Sequence, residues 1–262
     1  MAFDPRDFSI AELRRRFAEA ATVSPHLLAK LRRDPRRGVR QLRETLEKRL
    51  EQERQEKTRL DALLHFERVL WRTGVARVAG VDEAGVGPLA GPVVAAAVVL
   101  DRERFPRGID DSKALPAAAR EAICAKLRKV AAIGVGVASV EEIDRLNIYW
   151  ARMLAMTRAV DALGIEPAMV LVDGNRCPRW TRPSLAIVDG DAKCRSIAAA
   201  SIVAKVTRDR IMFDYARDYP GYGWETNKGY GTPEHQRALG ILGPTPLHRR
   251  SFAPVRQFTL DV

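Results

Sequence analysis

The sequence predicts an α/β domain with a mixed sheet, carried behind an all-helical, basic N-terminal extension. Two changes of texture carry this reading. Residues 1 to 73 are rich in Arg, Glu, Leu and Gln and lack β-branched runs, whereas apolar β-branched runs begin at Val75. From there the pattern is strands first, then strands alternating with helices, which describes a mixed α/β sheet. A chain of 262 residues accommodates one well-cored domain and a smaller unit, so 1–73 and 74–262 are the expected parts.

Within the extension, Asp34-Pro35 has the form of a helix start, with Asp as N-cap and Pro at the first helical position. Val39, Leu42 and Leu46 follow at helical spacing, Glu51 to Arg59 is nearly all polar, and apolar spacing resumes at Leu60, Leu63, Leu64 and Leu70. The second part opens with VARVAGVDE, a glycine-rich turn and PVVAAAVVL, the signature of two adjacent strands. A third strand, AAIGVGVAS, precedes a helix from about Ile148 to Leu163; the strands AMVLVDG and SLAIVDGD follow. The last of these feeds a helix from Ala192 to about Tyr215, whose small residues suit close packing.

Composition excludes several classes of function. No apolar run approaches the roughly eighteen residues of a membrane span, and the charged start MAFDPRDFSIAELRRRF is no secretion signal, so a cytoplasmic location is expected. Three scattered cysteines form neither a disulfide framework nor a Cys-x-x-Cys zinc pair, and read as reduced thiols without a catalytic task. A net charge of +11 favours a polyanionic partner such as nucleic acid. The extension carries 18 Lys and Arg against 12 Asp and Glu, with Arg32, Arg33, Arg36, Arg37 and Arg40 clustered, which marks it as an auxiliary nucleic-acid clamp.

Four acidic residues stand where strands are expected to end: Asp82 and Glu83 after VARVAGV, Asp173 after MVLV and Asp191 after LAIVDG. Active sites of open α/β sheets gather at such carboxyl ends. Any one of these acids alone reads as a turn residue or helix cap. Four together imply a cation that offsets their repulsion, and oxygen-only ligands favour Mg²⁺ or Mn²⁺.

The motifs GVDEAGVGPLAGPVVAAAVVL, DDSKAL, VDGNRCP, GDAKCRSIAAASIVAKVTRDR, YGWETNKGYGTPEH and HRRSFAPV, in this order, resemble those of bacterial ribonuclease HII, the type 2 ribonuclease H family. The similarity spans about residues 74 to 257, and the extension resembles one that some members carry. The resemblance implies a ribonuclease H-like fold with a five-stranded mixed sheet and a C-terminal helical portion over the substrate groove. It implies that Asp82, Glu83, Asp173 and Asp191 form the catalytic metal site for two Mg²⁺ or Mn²⁺ ions. The implied activity is hydrolysis of RNA in RNA–DNA hybrids and in duplex DNA containing ribonucleotides, leaving 3′-hydroxyl and 5′-phosphate ends. A monomer without membrane contact is expected. Tyr230 matches a tyrosine that stacks on a deoxyribose of the DNA strand, although a lone tyrosine more commonly packs in a core. Lys113, Lys205 and Lys228 are expected phosphate partners. His248 reads equally as a structural residue.

Two positions depart from the pattern: the family's Gly-Arg-Gly loop reads Gly85-Val86-Gly87, and the lysine usual two residues before the last aspartate is Asp189. Together they remove about three units of positive charge. An extended segment would bring the Asp189 carboxylate beside Asp191. These changes leave open a catalytically silent hybrid-binding protein, a type III-like ribonuclease H and another nuclease of this fold class.

Overall fold

The computed structural model describes residues 3–18, 23–110, 112–113 and 115–259, so Asp111 and Ala114 of the DDSKAL segment lie outside the described residues. The chain divides into two compact units, Met1–Ala62 and Leu63–Val262.

Among the described residues of the first unit are the helices α1 (Ile10–Ala18), α2 (Pro25–Arg32) and α3 (Arg37–Ala62). Leu13, Phe17, Leu31, Val39, Leu42 and Leu46 form its core. Ser24 caps α2 by accepting the Leu27 N–H at 3.2 Å, with Pro25 opening the helix. Asp34-Pro35, expected to start a helix, lies just outside α3. Asp34 instead accepts the Arg36 N–H at 3.0 Å and pairs with its guanidinium at 2.7 Å, and α3 begins at Arg37. Arg36 also donates to the carbonyls of Phe8 and Pro5, both at 2.8 Å. This arginine of the expected basic cluster therefore holds the unit together, whereas Arg32, Arg33, Arg37 and Arg40 are exposed.

The second unit begins with α4 (His65–Arg72), which the sequence reading places in the extension. Its Phe66, Leu70 and Trp71 pack with Val78, Leu171, Ile187 and Ile197, so it belongs with the sheet. The sheet comprises β1 (Val78–Ala84), β2 (Val93–Val99), β3 (Ala132–Ala138), β4 (Met169–Asp173) and β5 (Ser184–Ile187) in the order β3-β2-β1-β4-β5. The first three are antiparallel and the β1-β4-β5 half is parallel, so the five-stranded sheet is mixed.

Between strands run α5 (Ala117–Val130), α6 (Val140–Leu146) and α7 (Ile148–Asp161), and after β5 comes α8 (Arg195–Asp218). One sheet face packs on α7 through Ala95, Ala97, Ala155, Met156 and Ala159; the other packs on α5 and α8 through Ala96, Val98, Leu127 and Ala198–Ala200. Small residues let helices lie nearly on the strands. A Cβ at Gly80 would come within 2.1 Å of the Ser196 backbone, so β1 and the start of α8 meet at van der Waals distance only because position 80 has no side chain.

Glu67 of α4 fixes the start of α8. It is 1% exposed and accepts the Ser196 N–H at 2.7 Å and the Cys194 thiol at 3.1 Å, while the Arg195 N–H donates to the Leu63 carbonyl at 2.8 Å. A carboxylate there satisfies orphan donors and complements the helix dipole. Burial, then the Glu67 charge, pushes the Cys194 thiol well above its ordinary range, which keeps it inert.

The C-terminal portion holds α9 (Trp224–Asn227), α10 (Pro233–Leu242) and α11 (Ala253–Arg256). Among the described residues no helix is long and apolar enough to cross a membrane.

Candidate active site

Hydrophobic strands deliver the acids to one end of the sheet. Asp82 and Glu83 close the buried run of β1, and Asp173 closes that of β4. Because Val81 pairs with Val172 in the parallel β1-β4 register, Asp82 and Asp173 emerge level on adjacent strands. Asp191 follows in a 3₁₀ turn, Gly190–Ala192, rather than on an extended strand. That turn corrects the expectation for Asp189. Its backbone is left-handed (φ 54°), its side chain is 74% exposed, and it sits 3.7 Å from Lys193, whereas Asp191 is buried. The two-residue alternation of an extended chain does not apply in such a turn, so Asp189 points away from the site.

The carboxylates are held individually. Asp82 accepts the Glu83 N–H at 2.7 Å and a bond from the Ser201 hydroxyl, and Ser201 lies 2.7 Å from the Ser112 hydroxyl. Asp173 accepts the Gly190 N–H at 2.7 Å. Glu83 pairs with Arg152 at 2.7 Å, and Asp191 with Lys113 at 3.3 Å. Burial, then the charges of Glu83 and Asp173, pushes Asp82 well above the usual carboxylate range. Burial raises Glu83 against the pull of Arg152, and burial raises Asp173 with help from Asp191.

Among the described residues no three such side chains converge closely enough to enclose an ion, because each carboxylate is turned toward its own protein partner. Their mutual repulsion nevertheless places them within electrostatic reach of one another. Glu83 Oε2 is buried without a hydrogen-bond partner, a cost that a hard cation would remove. Oxygen donors, like-charge stress and an orphaned oxygen fit a divalent ion.

Asp82, Glu83 and Asp173 open into a cleft of about 250 Å³, also lined by Gly85, Val86, Gly87, Lys113, Lys205 and Tyr230. Tyr230 is 46% exposed, so the core role common for a tyrosine is not the one adopted. Its ring lies across from Gly87, where an added Cβ would meet it at 3.8 Å. The Tyr230 carbonyl is held by His235 Nδ1 at 2.9 Å. His248 Nδ1 accepts the Thr245 N–H, so its proton is on Nε2 and donates to His235 Nε2 at 3.0 Å, leaving the His235 proton on Nδ1. His248 is therefore part of the frame behind Tyr230. Lys205 pairs with Asp209 at 2.7 Å. Lys228 instead lines a neighbouring cavity of about 410 Å³ with Arg120 and Phe213, which contains none of the four carboxylates.

Several residues of the site were not among those the sequence singled out. Arg249 is fully buried and donates to the carbonyls of Val86 (2.9 Å), Gly91 (2.8 and 2.9 Å) and Gly85 (2.5 Å). A peptide's C=O and N–H point in opposite directions, so this grip turns the Val86 and Gly87 N–H groups away from Arg249. Arg208 is likewise buried and donates to Pro92, Ala90 and Lys228 carbonyls. Burial lowers Arg208 to about 10; burial and the Arg208 charge lower Arg249 to about 9, and both stay charged at neutral pH. Arg152, Ser112 and Ser201 complete the set. A motif rich in arginine reads as surface, and only burial distinguishes the structural ones.

Comparison with protein families decides what this site belongs to. Residues 79–255 match the Ribonuclease HII family, and residues 9–71 match the Ribonuclease HII N-terminal domain. The chain belongs to the ribonuclease HII family. A ribonuclease HII of Rhizorhabdus wittichii is 72% identical over 183 residues, covering 70% of this chain and 91% of the relative. One from an Anaeromyxobacter species is 51% identical over 251 residues, covering 95% of this chain and 80% of the relative. The crystal structure of ribonuclease H2 from Pyrococcus horikoshii superposes with a TM-score of 0.61 at 29% identity, covering 71% of this chain and 98% of that one. As a member of that family the chain is an enzyme, an endonuclease that leaves 5′-phosphate ends.

Proposed function

We propose that this enzyme hydrolyses the RNA strand of RNA–DNA hybrids, and less efficiently single ribonucleotides in duplex DNA, with Asp82, Glu83, Asp173 and Asp191 holding two Mg²⁺ or Mn²⁺ ions. The carrying observation is that the buried Asp82 and the part-buried Glu83 and Asp173 line one cleft and raise one another's carboxyl groups, with one oxygen of Glu83 orphaned. Bound there, divalent ions would supply the polarisation of a water and the charge that stabilises the leaving oxygen of a phosphodiester. The chain's own residues supply position. The Val86 and Gly87 N–H groups, aimed by Arg249, meet the 2′-hydroxyl that separates RNA from DNA. Tyr230 stacks on a deoxyribose of the DNA strand, and Lys113 and Lys205 meet phosphates. Hybrid cleavage that requires added Mg²⁺ or Mn²⁺ and stops with a chelator is the expected result; chelator-resistant cleavage would reject the metal site.

Continuous RNA in a hybrid is expected to be cut better than a single ribonucleotide in DNA. Val86 is 36% exposed beside the cleft and offers neither charge nor donor where the family has arginine, and Arg249 and Arg208 are occupied by carbonyls. A charge-assisted hydrogen bond contributes roughly 1.5 to 3 kcal/mol, so junction cleavage suffers by about ten- to a hundredfold. Val86→Arg should raise cleavage at single ribonucleotides selectively. An equal gain on both substrates in steady-state assays would reject this reading.

The N-terminal unit serves as an auxiliary nucleic-acid clamp, supported by the exposed Arg32, Arg33, Arg37 and Arg40. Removing residues 1–62 should weaken hybrid binding and flatten its log-log salt dependence by about 0.9 per lost phosphate contact on duplex DNA. An unchanged slope in binding titrations would show that the unit does not touch the substrate.

A further inference from the structure

Arg152, on α7, pairs with the carboxylate of one of the four acids and with the main chain of a second. Its Nε lies 2.7 Å from Glu83 Oε1, and its Nη2 donates to the Asp173 carbonyl at 3.1 Å. The side chains of Arg152 and Glu83 are only 20% and 10% exposed, so the pair is weakly screened. Space for the guanidinium is built in: a Cβ at Gly174, which has φ +98°, would meet Arg152 Nη2 at 2.9 Å. This close ion pair engages Glu83 Oε1 and leaves Glu83 Oε2 buried and unpartnered. Lys113, which pairs with Asp191, has an 81% exposed side chain and is correspondingly screened.

We propose that Arg152 is an internal counter-cation of the catalytic carboxylates, which neutralises part of their repulsion in the metal-free protein and thereby opposes, and so sets, the affinity for the divalent ion. The inference rests on the metal-binding reading above. A guanidinium and a divalent ion that share a carboxylate cluster stabilise the same negative charge and repel each other. Each therefore weakens the other's contribution. Arg152 is a positioning and charge-setting residue; it need not touch substrate.

The test is calorimetric titration of Mn²⁺ into the unmodified protein, Arg152→Gln and Arg152→Lys at one pH and ionic strength, with melting temperatures measured with and without Mn²⁺. Arg152→Gln should bind Mn²⁺ about tenfold more tightly. Its metal-free form should melt lower, and saturating Mn²⁺ should close the gap. Arg152→Lys, which keeps the charge, should bind within about twofold of the unmodified protein. Equal or weaker Mn²⁺ binding by Arg152→Gln, or a melting deficit of the same size with and without Mn²⁺, would overturn the proposal. If the unmodified protein binds no Mn²⁺, the metal-binding reading itself fails, and that outcome is distinct from equal binding by all three.

Discussion

Asp82→Asn and Asp173→Asn proteins should lose hybrid cleavage by roughly a thousandfold or more while remaining folded. Asparagine keeps the shape and one acceptor oxygen, so the Glu83 N–H beside Asp82 and the Gly190 N–H beside Asp173 retain a partner. What disappears is a charge. In the metal-free protein that charge is a burden, because burial and neighbouring acids raise both groups. Each variant is therefore expected to melt at or above the unmodified protein without metal, and to gain less from Mn²⁺. Near-normal turnover in either variant would remove that residue from the catalytic set, and circular dichroism separates a dead site from an unfolded one.

Arg249 should give the second-largest effect. Truncation to Met leaves the carbonyls of Gly85, Val86 and Gly91 without their donor in a buried place, a loss on the order of 3 to 5 kcal/mol. Arg249→Lys keeps the charge, but one ammonium cannot span carbonyls that a planar fork reaches together. Urea melts of the Lys variant should show an intermediate loss of stability, and its cleavage should fall more for single ribonucleotides than for continuous hybrid. Unmodified stability and unmodified cleavage in Arg249→Lys would show that the glycine loop holds its shape unaided.

Asp82, Glu83 and Asp173 were legible because they stand at the ends of apolar strands, whose period and burial survive in the chain of letters, whereas Asp191 sits in a turn beyond β5. The mixed sheet and the small-residue helix followed from the same regularity, and the count of five strands from the family resemblance. Turns were less legible. Asp189 is a left-handed residue before a 3₁₀ turn, and the signal that the strand stops at Ile187 was the Asp189-Gly190 dipeptide, a turn former that an extended reading of the segment passes over. Asp34-Pro35 carries the marks of a helix start, yet Arg36 attracts the Asp34 side chain and the helix opens only at Arg37. Least legible were arginines. Arg249 and Arg250 are neighbours in HRRSFAPV, and one is fully buried while the other is exposed. Arg152 announces itself only through a partner 69 positions away in the chain, Glu83.

The Glu67 contact to α8 determines where this protein can be cut. A chain beginning at residue 74, the boundary suggested by composition, would sever α4 and leave the Ser196 N–H without its buried carboxylate, five residues after Asp191. The damage would reach the cleft by way of a helix end and would pass for a catalytic role of the extension. A chain beginning at Leu63 keeps both Glu67 and the Leu63 carbonyl that receives the Arg195 N–H. The two cuts differ by eleven residues, yet only the second separates what the helical unit does for nucleic acid from what α4 does for the architecture of the nuclease.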